Sequence, residues 1–188
     1  MSDIGELVNV IDAVINVLRR HAIPHYVTGS FASSVHGEFR ATADIDFVAQ
    51  IPAQALRTLI QEWDAVFVAD LDQAQAALEL GTSFNLIHRT TYLKVDFFPC
   101  ATPFNLSALA RAVTIDIPGA QESLRVSSVE DIVLAKLRWY RLGGEASEVQ
   151  RRDVRQLITL NRDTLDVGYL RHWATDLGVL DLLARAMD

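Results

Sequence analysis

The sequence predicts a mixed α/β (α+β) protein in which a small mixed β-sheet with flanking helices, over residues 1–126, precedes a helical C-terminal part, over residues 127–188. Helical and strand-like hydrophobic patterns alternate as far as Val126, and only helical patterns follow Ser128. Half of the 188 residues are hydrophobic and 22% are charged, which is the composition of an ordinary globular protein. Because the helical part is short for an independent core, we expect the two parts to pack as one unit.

The first part alternates between period-3.6 and period-2 patterns, and Gly or Pro lies near several of the boundaries. In chain order the patterns predict a helix over 6–20, a strand over 26–28, a helix over 29–37, a strand over 44–50, helices near 53–63 and 72–80, and strands over 84–88, 92–98, 113–117 and 124–126. The short connections indicate two antiparallel pairs, one formed by 84–88 with 92–98 and the other by 113–117 with 124–126.

The second part begins with a helix whose start is marked by Ser128. Its hydroxyl can cap the helix while Asp131, three residues on, reaches back in a capping box. The pattern continues to about Leu142 and is broken by two glycines. Three further helices are predicted over 146–160, 166–176 and 178–187.

Composition excludes several classes of protein. No apolar run approaches the roughly 20 residues that a membrane span needs, and the first residues lack the basic start of a secretory signal, so the sequence predicts a soluble cytoplasmic protein with no membrane partner. A single cysteine, Cys100, excludes an internal disulfide and a cysteine-based zinc site. The net charge of −7 argues against a protein that coats nucleic acid.

Positive charge is nevertheless concentrated in one stretch of the C-terminal part. It can form a solvated helix face or the local basic approach to a site that takes a polyanion. The arginines concerned are Arg138, Arg141, Arg151, Arg152 and Arg155.

The strongest chemical signal is an Asp-Ile-Asp motif at the start of the predicted strand over 44–50. Alternate side chains of a strand share a face, so Asp44 and Asp46 point the same way while Ile45 points into the core. Two such carboxylates repel each other, and a divalent cation between them turns repulsion into binding. Magnesium prefers carboxylate oxygens and substrate phosphates, and is the cofactor that the motif indicates. The alternative is a pair of aspartates at a solvated strand end.

Two further features favour the site. Asp96 interrupts an apolar strand, where an aspartate needs a partner such as a metal ion, and is a natural third ligand. Gly29 and Ser30 follow a strand and open a helix, where backbone amides favour an anion such as a triphosphate. By itself, a Gly-Ser turn more often only connects two secondary-structure elements.

A lysine and an aspartate on successive C-terminal helices are predicted to face inward. Helical spacing places Lys136 on an otherwise apolar face, and Asp153 likewise on the next helix. Buried charges must be paired, so a structural Lys136–Asp153 bridge and a contact between Lys136 and a triphosphate are both open.

Three aromatic residues in the C-terminal part could stack against a base. Trp139, Tyr140 and Trp173 lie at helical spacing, however, and aromatic residues at that spacing more often belong to the core.

These motifs together resemble the nucleotidyltransferase superfamily of the DNA polymerase β type. Within it they are similar to the AbiEii-type toxins of bacterial toxin–antitoxin systems, a resemblance that covers about residues 25–160 and extends to the segments 128–131 and 134–137. The residues that carry it are Gly29, Ser30, Ala32, Gly37, Arg40, Thr42, Asp44, Ile45 and Asp46, with Lys94, Val95 and Asp96 downstream.

The resemblance implies a sheet of nucleotidyltransferase type and a catalytic role for four residues. Asp44 and Asp46 would hold two Mg²⁺ ions, with Mn²⁺ as a possible substitute. Asp96 would complete the site as ligand or base, and Lys136 would steady the nucleotide. Asp153 receives no role, because the connection before it is longer here than in the family.

The resemblance also implies a substrate-binding set. Gly29 and Ser30 would contact the triphosphate of an NTP, Arg40 would support the phosphates or the acceptor, and Thr42 belongs to the same motif. As acceptor we expect RNA, a tRNA 3′ end as the toxin resemblance implies, and an antitoxin as a possible protein partner. The alternatives are transfer to a small molecule, as in antibiotic nucleotidyltransferases, and a catalytically inactive binding module.

Overall fold

The computed structural model describes residues 4–37 and 44–188. These residues form nine helices and seven strands. The helices are α1 (Ile4–Arg20), α2 (Gly29–His36), α3 (Ala53–Trp63), α4 (Leu71–Leu80), α5 (Pro103–Arg111), α6 (Val129–Leu142), α7 (Glu148–Leu160), α8 (Val167–Asp176) and α9 (Leu180–Met187). The strands are β1 (His25–Thr28), β2 (Asp44–Ala49), β3 (Phe67–Val68), β4 (Phe84–His88), β5 (Lys94–Pro99), β6 (Val113–Ile115) and β7 (Leu124–Val126).

All seven strands form one mixed sheet in the order β3-β4-β5-β2-β1-β7-β6. The neighbours β2 and β5 run parallel, as do β1 and β7, and the other neighbouring pairs are antiparallel. The fold class expected from the sequence is therefore confirmed, including the two antiparallel pairs β4–β5 and β6–β7.

The two faces of the sheet carry different side chains, because residues of a strand alternate between faces. One face supplies Val27, Phe47 and Phe97 to the main core, which α1 and α3 also enter. The opposite face carries the polar residues of the candidate site and, beside them, a small cluster that includes Tyr26 and Val48. The site thus lies on the face away from the largest part of the apolar core.

The main core also contains residues of the C-terminal part. Leu137 of α6 and Leu157 of α7 are buried in the same cluster as Val27 of β1. A polar contact joins the parts as well, since the Asn161 side-chain amide donates to the His36 carbonyl at 3.1 Å.

Two elements were missed by the sequence patterns, α5 and β3. Helix α5 buries only Phe104 and Ala108, so its amphipathic pattern is short. Strand β3 has two residues, too few for an alternation to show. Ser128 caps α6 as predicted, accepting from the Asp131 amide at 3.3 Å, but the Asp131 carboxylate reaches back to the Ser128 hydroxyl, at 2.9 Å.

None of the helices in the described residues is both long enough and apolar enough to cross a membrane.

Candidate active site

A row of carboxylates crosses the centre of the sheet. Strands β2 and β5 pair in parallel with Asp46 opposite Asp96 and Asp44 opposite Lys94. Residues in register share a face, so the three aspartates and Lys94 project on the same side. Asp44 is exposed, Asp46 is half-buried and Asp96 is buried. The pairing brings together the three aspartates that the sequence singled out.

The electrostatics of this row centre on Asp46. Burial first, and then the negative charges of Asp44 and Asp96, raise the pKa of its carboxyl to about 6, against the opposing effect of Lys94 and Lys136. A carboxylate held among other carboxylates is stabilised by any cation that enters the row. The row therefore has the electrostatic character of a cation site.

Lys94 contributes a positive charge to the carboxylate row itself. Its ammonium lies 2.8 Å from an Asp96 oxygen, and 44% of its side chain is accessible to solvent. In this arrangement no three His, Cys, Asp or Glu side chains among residues 4–37 and 44–188 are grouped closely enough to hold a metal ion. The sequence contained a signal for this pair, because lysine two residues before aspartate on a strand shares its face.

The oxygen donors of the row nevertheless suit magnesium. Asp44 and Asp46 are hard carboxylate ligands on one face, and burial together with the neighbouring carboxylates raises the pKa of Asp46. These two residues, joined by Asp96 once it leaves Lys94, would hold the ion.

Gly29 lets Asp46 approach the start of α2. The glycine has a φ of +70°, and a Cβ atom at this position would lie 1.8 Å from the Asp46 Oδ2 atom. A side chain would therefore both strain the backbone and collide with the carboxylate. The next residue, Ser30, lines the cavities on both sides of the turn, so the Gly-Ser turn adjoins the carboxylate row.

Lys136 forms the ion pair that was one of the two sequence interpretations. Its ammonium lies 2.9 Å from Asp153 and 3.3 Å from the side-chain oxygen of Gln150, on the adjoining helix α7. Lys136 and Asp153 are both buried. Lys136 also lines the same cleft as Asp44 and Asp46, so the pair is positioned beside the carboxylates.

The cleft has a volume of about 310 Å³ and lies between the polar sheet face and helices α5 and α6. Its far end is aromatic and is formed by Phe98, Phe104 and Trp139. Trp139 is 54% exposed and meets Phe98 edge to face with ring centroids 6.1 Å apart. The core interpretation was therefore wrong for Trp139, whereas Trp173 packs against Phe104.

A second, wider groove of about 940 Å³ lies between α2 and α7. It is lined by Ser30 of α2 and by Arg151, Arg152 and Arg155 of α7. Arg151 is ion-paired with Glu148, and the other two arginines are exposed. Three of the five arginines in the basic stretch therefore line this groove.

The remaining arginines of that stretch lie elsewhere. Arg138 lines the cleft, and Arg141 is held in ion pairs with Glu145 and Asp181. Arg40 and Thr42, which belong to the expected substrate-binding set, lie outside the described residues.

Solved structures of nucleotidyltransferase-like proteins have a similar arrangement of sheet and helices. A nucleotidyltransferase-like protein from Paracoccidioides brasiliensis shares 15% identity, with 96% of this chain and 91% of that chain covered and a TM-score of 0.59. The antibiotic-resistance factor ANT(2″)-Ia in solution shares 13% identity over 96% of this chain and 97% of its own, with a TM-score of 0.57. Its complex with adenylyl-2″-tobramycin shares 14% identity over 92% and 97%, also at 0.57.

The sequence itself matches no family model and no curated protein. At sequence identities of 13–15%, the structural similarity shows that the fold is shared. The resemblance to AbiEii-type toxins stays a prediction.

Proposed function

We propose that this protein is a metal-dependent nucleotidyltransferase that moves a nucleoside monophosphate from an NTP to an acceptor hydroxyl. The observation that carries the proposal is the in-register pairing of Asp46 with Asp96, beside Asp44 and next to the Gly29–Ser30 turn. A protein selected only for stability would not gather repelling carboxylates at one point of its sheet.

In the proposed reaction the acceptor oxygen bonds to the α-phosphorus, and the bond from that phosphorus to the bridging oxygen breaks. Pyrophosphate leaves, and the proton of the attacking hydroxyl passes to Asp96 or to water. Asp44, Asp46 and Asp96 would hold magnesium, which when bound would supply stabilisation of the negative charge that develops during transfer. Two ions fit the chemistry of such transfers, and Mn²⁺ is a reasonable substitute.

The protein's own residues bind and orient the NTP. Backbone amides at the start of α2 and the Ser30 hydroxyl receive the triphosphate. Lys136 faces the same cleft and adds a positive charge, while Asp153 and Gln150 hold its ammonium in place. Positioning of the reacting groups supplies much of the rate enhancement.

As acceptor we propose RNA, with a tRNA 3′ end as the specific case. The support is the groove that Ser30 lines together with Arg152 and Arg155. Their exposed guanidinium groups suit a phosphate backbone, and a small neutral acceptor would not need them. A role as a toxin with a protein antitoxin remains a prediction from the sequence resemblance.

A small-molecule acceptor is the second candidate. The cleft of about 310 Å³ has the size of a site for one drug-sized molecule. ANT(2″)-Ia, whose fold is similar, has been observed with adenylyl-2″-tobramycin.

The proposal is tested by incubating the protein with each radiolabelled NTP, Mg²⁺ and a cell extract, then separating the products by size. Label in the RNA fraction, lost in Asp44→Asn and Asp46→Asn, is the expected result. Label in the small-molecule fraction would move the acceptor to the second candidate. Absence of label in every fraction, with all four NTPs, would contradict the enzyme proposal.

The acceptor is tested further by tRNA binding across a salt series. Log affinity falls by about 0.7–0.9 per phosphate contact against log salt, so Arg152→Ala/Arg155→Ala should have a shallower slope than the wild type. Arg57→Ala/Arg171→Ala, which removes two exposed arginines outside the groove, is the matched control. Equal slopes in all three proteins would remove the groove from the RNA proposal.

A further inference from the structure

One part of the cleft has no role in the proposed reaction. On the polar face of the sheet, Tyr26, Val48 and Phe98 lie in register across β1, β2 and β5. They form a row two residues along the strands from the carboxylate row, which corresponds to roughly 7 Å. Tyr26 and Val48 are buried, so the floor of this part of the cleft is preformed and apolar.

Trp139 covers the same part of the cleft from α6. It lies three residues after Lys136, on the same side of the helix and about 4.5 Å further along its axis. Its ring contacts Phe98 at an interplanar angle of 63°, yet 54% of the residue remains accessible. Covering so exposed an indole with a ligand is favourable, because apolar surface is then removed from water.

The order of the strands indicates which reactant lies there. Strand β2, with Asp44 and Asp46, is flanked by β1 on one side and by β5 on the other. The Gly29–Ser30 turn follows β1, and because it receives the triphosphate in the proposed reaction, the leaving pyrophosphate would lie on that side. An in-line attack comes from the opposite side, where β5 carries Asp96 and, two residues on, Phe98. The acceptor would therefore lie over β5 and beneath Trp139.

We propose that Trp139, with Phe98, forms a stacking subsite for the base of the acceptor nucleotide whose hydroxyl attacks the α-phosphorus of the NTP. This inference rests on the proposed RNA acceptor. Arg138, adjacent to Trp139 and also lining the cleft, is placed to contact a phosphate of that RNA. Because every base can stack on an aromatic ring, the subsite would fix the position of the acceptor's base without selecting a particular sequence.

The test is a double-mutant cycle with a short single-stranded RNA of defined 3′ end. One version carries its terminal base, and the other ends in an abasic ribose with the hydroxyls intact. Wild type, Trp139→Ala and Trp139→Phe are compared by the KM for RNA, the KM for NTP and kcat. Leu142→Ala is the control, because it removes an exposed apolar side chain from the same helix outside the cleft.

Trp139→Ala should raise the KM for intact RNA by about tenfold, the range expected for loss of one base–aromatic stack, and leave the KM for NTP unchanged. With the wild type, the KM for abasic RNA should exceed the KM for intact RNA by the same factor. Trp139→Ala should not raise the KM for abasic RNA further. Trp139→Phe should keep most of the wild-type affinity, and Leu142→Ala all of it.

Three results would overturn the subsite. If the effects of the abasic end and of Trp139→Ala add, the two do not contact each other, and the transferase proposal stands without the subsite. If only the KM for NTP rises, the nucleotide base and not the acceptor contacts Trp139. If the wild type labels no RNA, the proposed acceptor and the subsite both fail.

Discussion

The ammonium of Lys136 lies 2.9 Å from the Asp153 carboxylate, and both side chains are buried where α6 meets α7. The pair is at once a structural contact and part of the cleft wall, since Lys136 also faces Asp44 and Asp46. Asp153 is therefore placed to position Lys136, a role that the spacing of the two helices in the sequence left undecided.

Removing one partner of this pair should cost more than removing both. Among the described residues, Asp153→Ala leaves the Lys136 ammonium held by Gln150 alone, and we expect a loss of about 3 kcal/mol in the free energy of unfolding. The double variant Lys136→Met/Asp153→Leu should recover most of that stability, because no buried charge remains. Urea unfolding of the three proteins measures the effect.

NTP binding should distinguish a structural role of the Lys136–Asp153 pair from a role of Lys136 in binding the nucleotide. Calorimetry with a non-hydrolysable NTP should show weak binding for the double variant even though its stability is restored. Wild-type NTP affinity in that variant would restrict Lys136 to a structural role.

The metal-free protein should lose stability as the pH rises through about 6. The folded pKa of Asp46, about 6, lies above that of an unfolded aspartate, so the native state binds the proton more tightly. This contribution is present at pH 4 and lost by pH 7, with a size on the order of 2 kcal/mol.

Asp46→Asn removes that titration. In EDTA, the difference in unfolding free energy between wild type and Asp46→Asn should fall from pH 4 to pH 7, so that the variant is the more stable protein at neutral pH. Added Mg²⁺ should restore the stability of the wild type at neutral pH and leave that of Asp46→Asn unchanged. A difference that does not change with pH would contradict the placement of Asp46 among the other carboxylates.

Gly29→Ala should damage the site more than its backbone strain alone explains. The new Cβ would collide with the Asp46 carboxylate, so Mn²⁺ binding and transfer should be lost. Gly81→Ala is the matched control, since Gly81 has a φ of +68° and a Cβ atom added there would have no atom of the described residues within 4 Å. That control should cost about 1 kcal/mol of stability and leave metal binding intact. Equal effects of both substitutions on Mn²⁺ binding would refute the role assigned to the Gly29–Asp46 contact.

Lys94→Met should raise the affinity for Mn²⁺. In the metal-free protein the Lys94 ammonium occupies one oxygen of Asp96, and its positive charge opposes an incoming cation. Without it we expect roughly tenfold tighter binding, as measured by calorimetry. Arg89→Met is the control, because Arg89 is equally exposed and pairs with Asp64 away from the row. Weaker Mn²⁺ binding in Lys94→Met would show that the lysine assists the metal.

The local pattern of the sequence was sufficient to place Asp44, Ile45 and Asp46. Alternation along one strand is a property of the backbone, so the shared face of the aspartates follows from their spacing. The same holds for the inward position of Lys136 on its helix. The start of α6 was predicted for a similar reason, since the Ser128 cap is a contact over three residues.

Only the tertiary structure decided which of these local elements meet. Asp46 and Asp96 are paired because β2 and β5 are parallel neighbours, and a parallel pair is joined by a long crossover whose course no local pattern records. Trp139 has the spacing of a core residue, yet it lies at the cleft because α6 packs with that side over the polar face of the sheet. Periodicity determines which side of an element is apolar, whereas the partner of that side is set by the packing of residues distant in the chain.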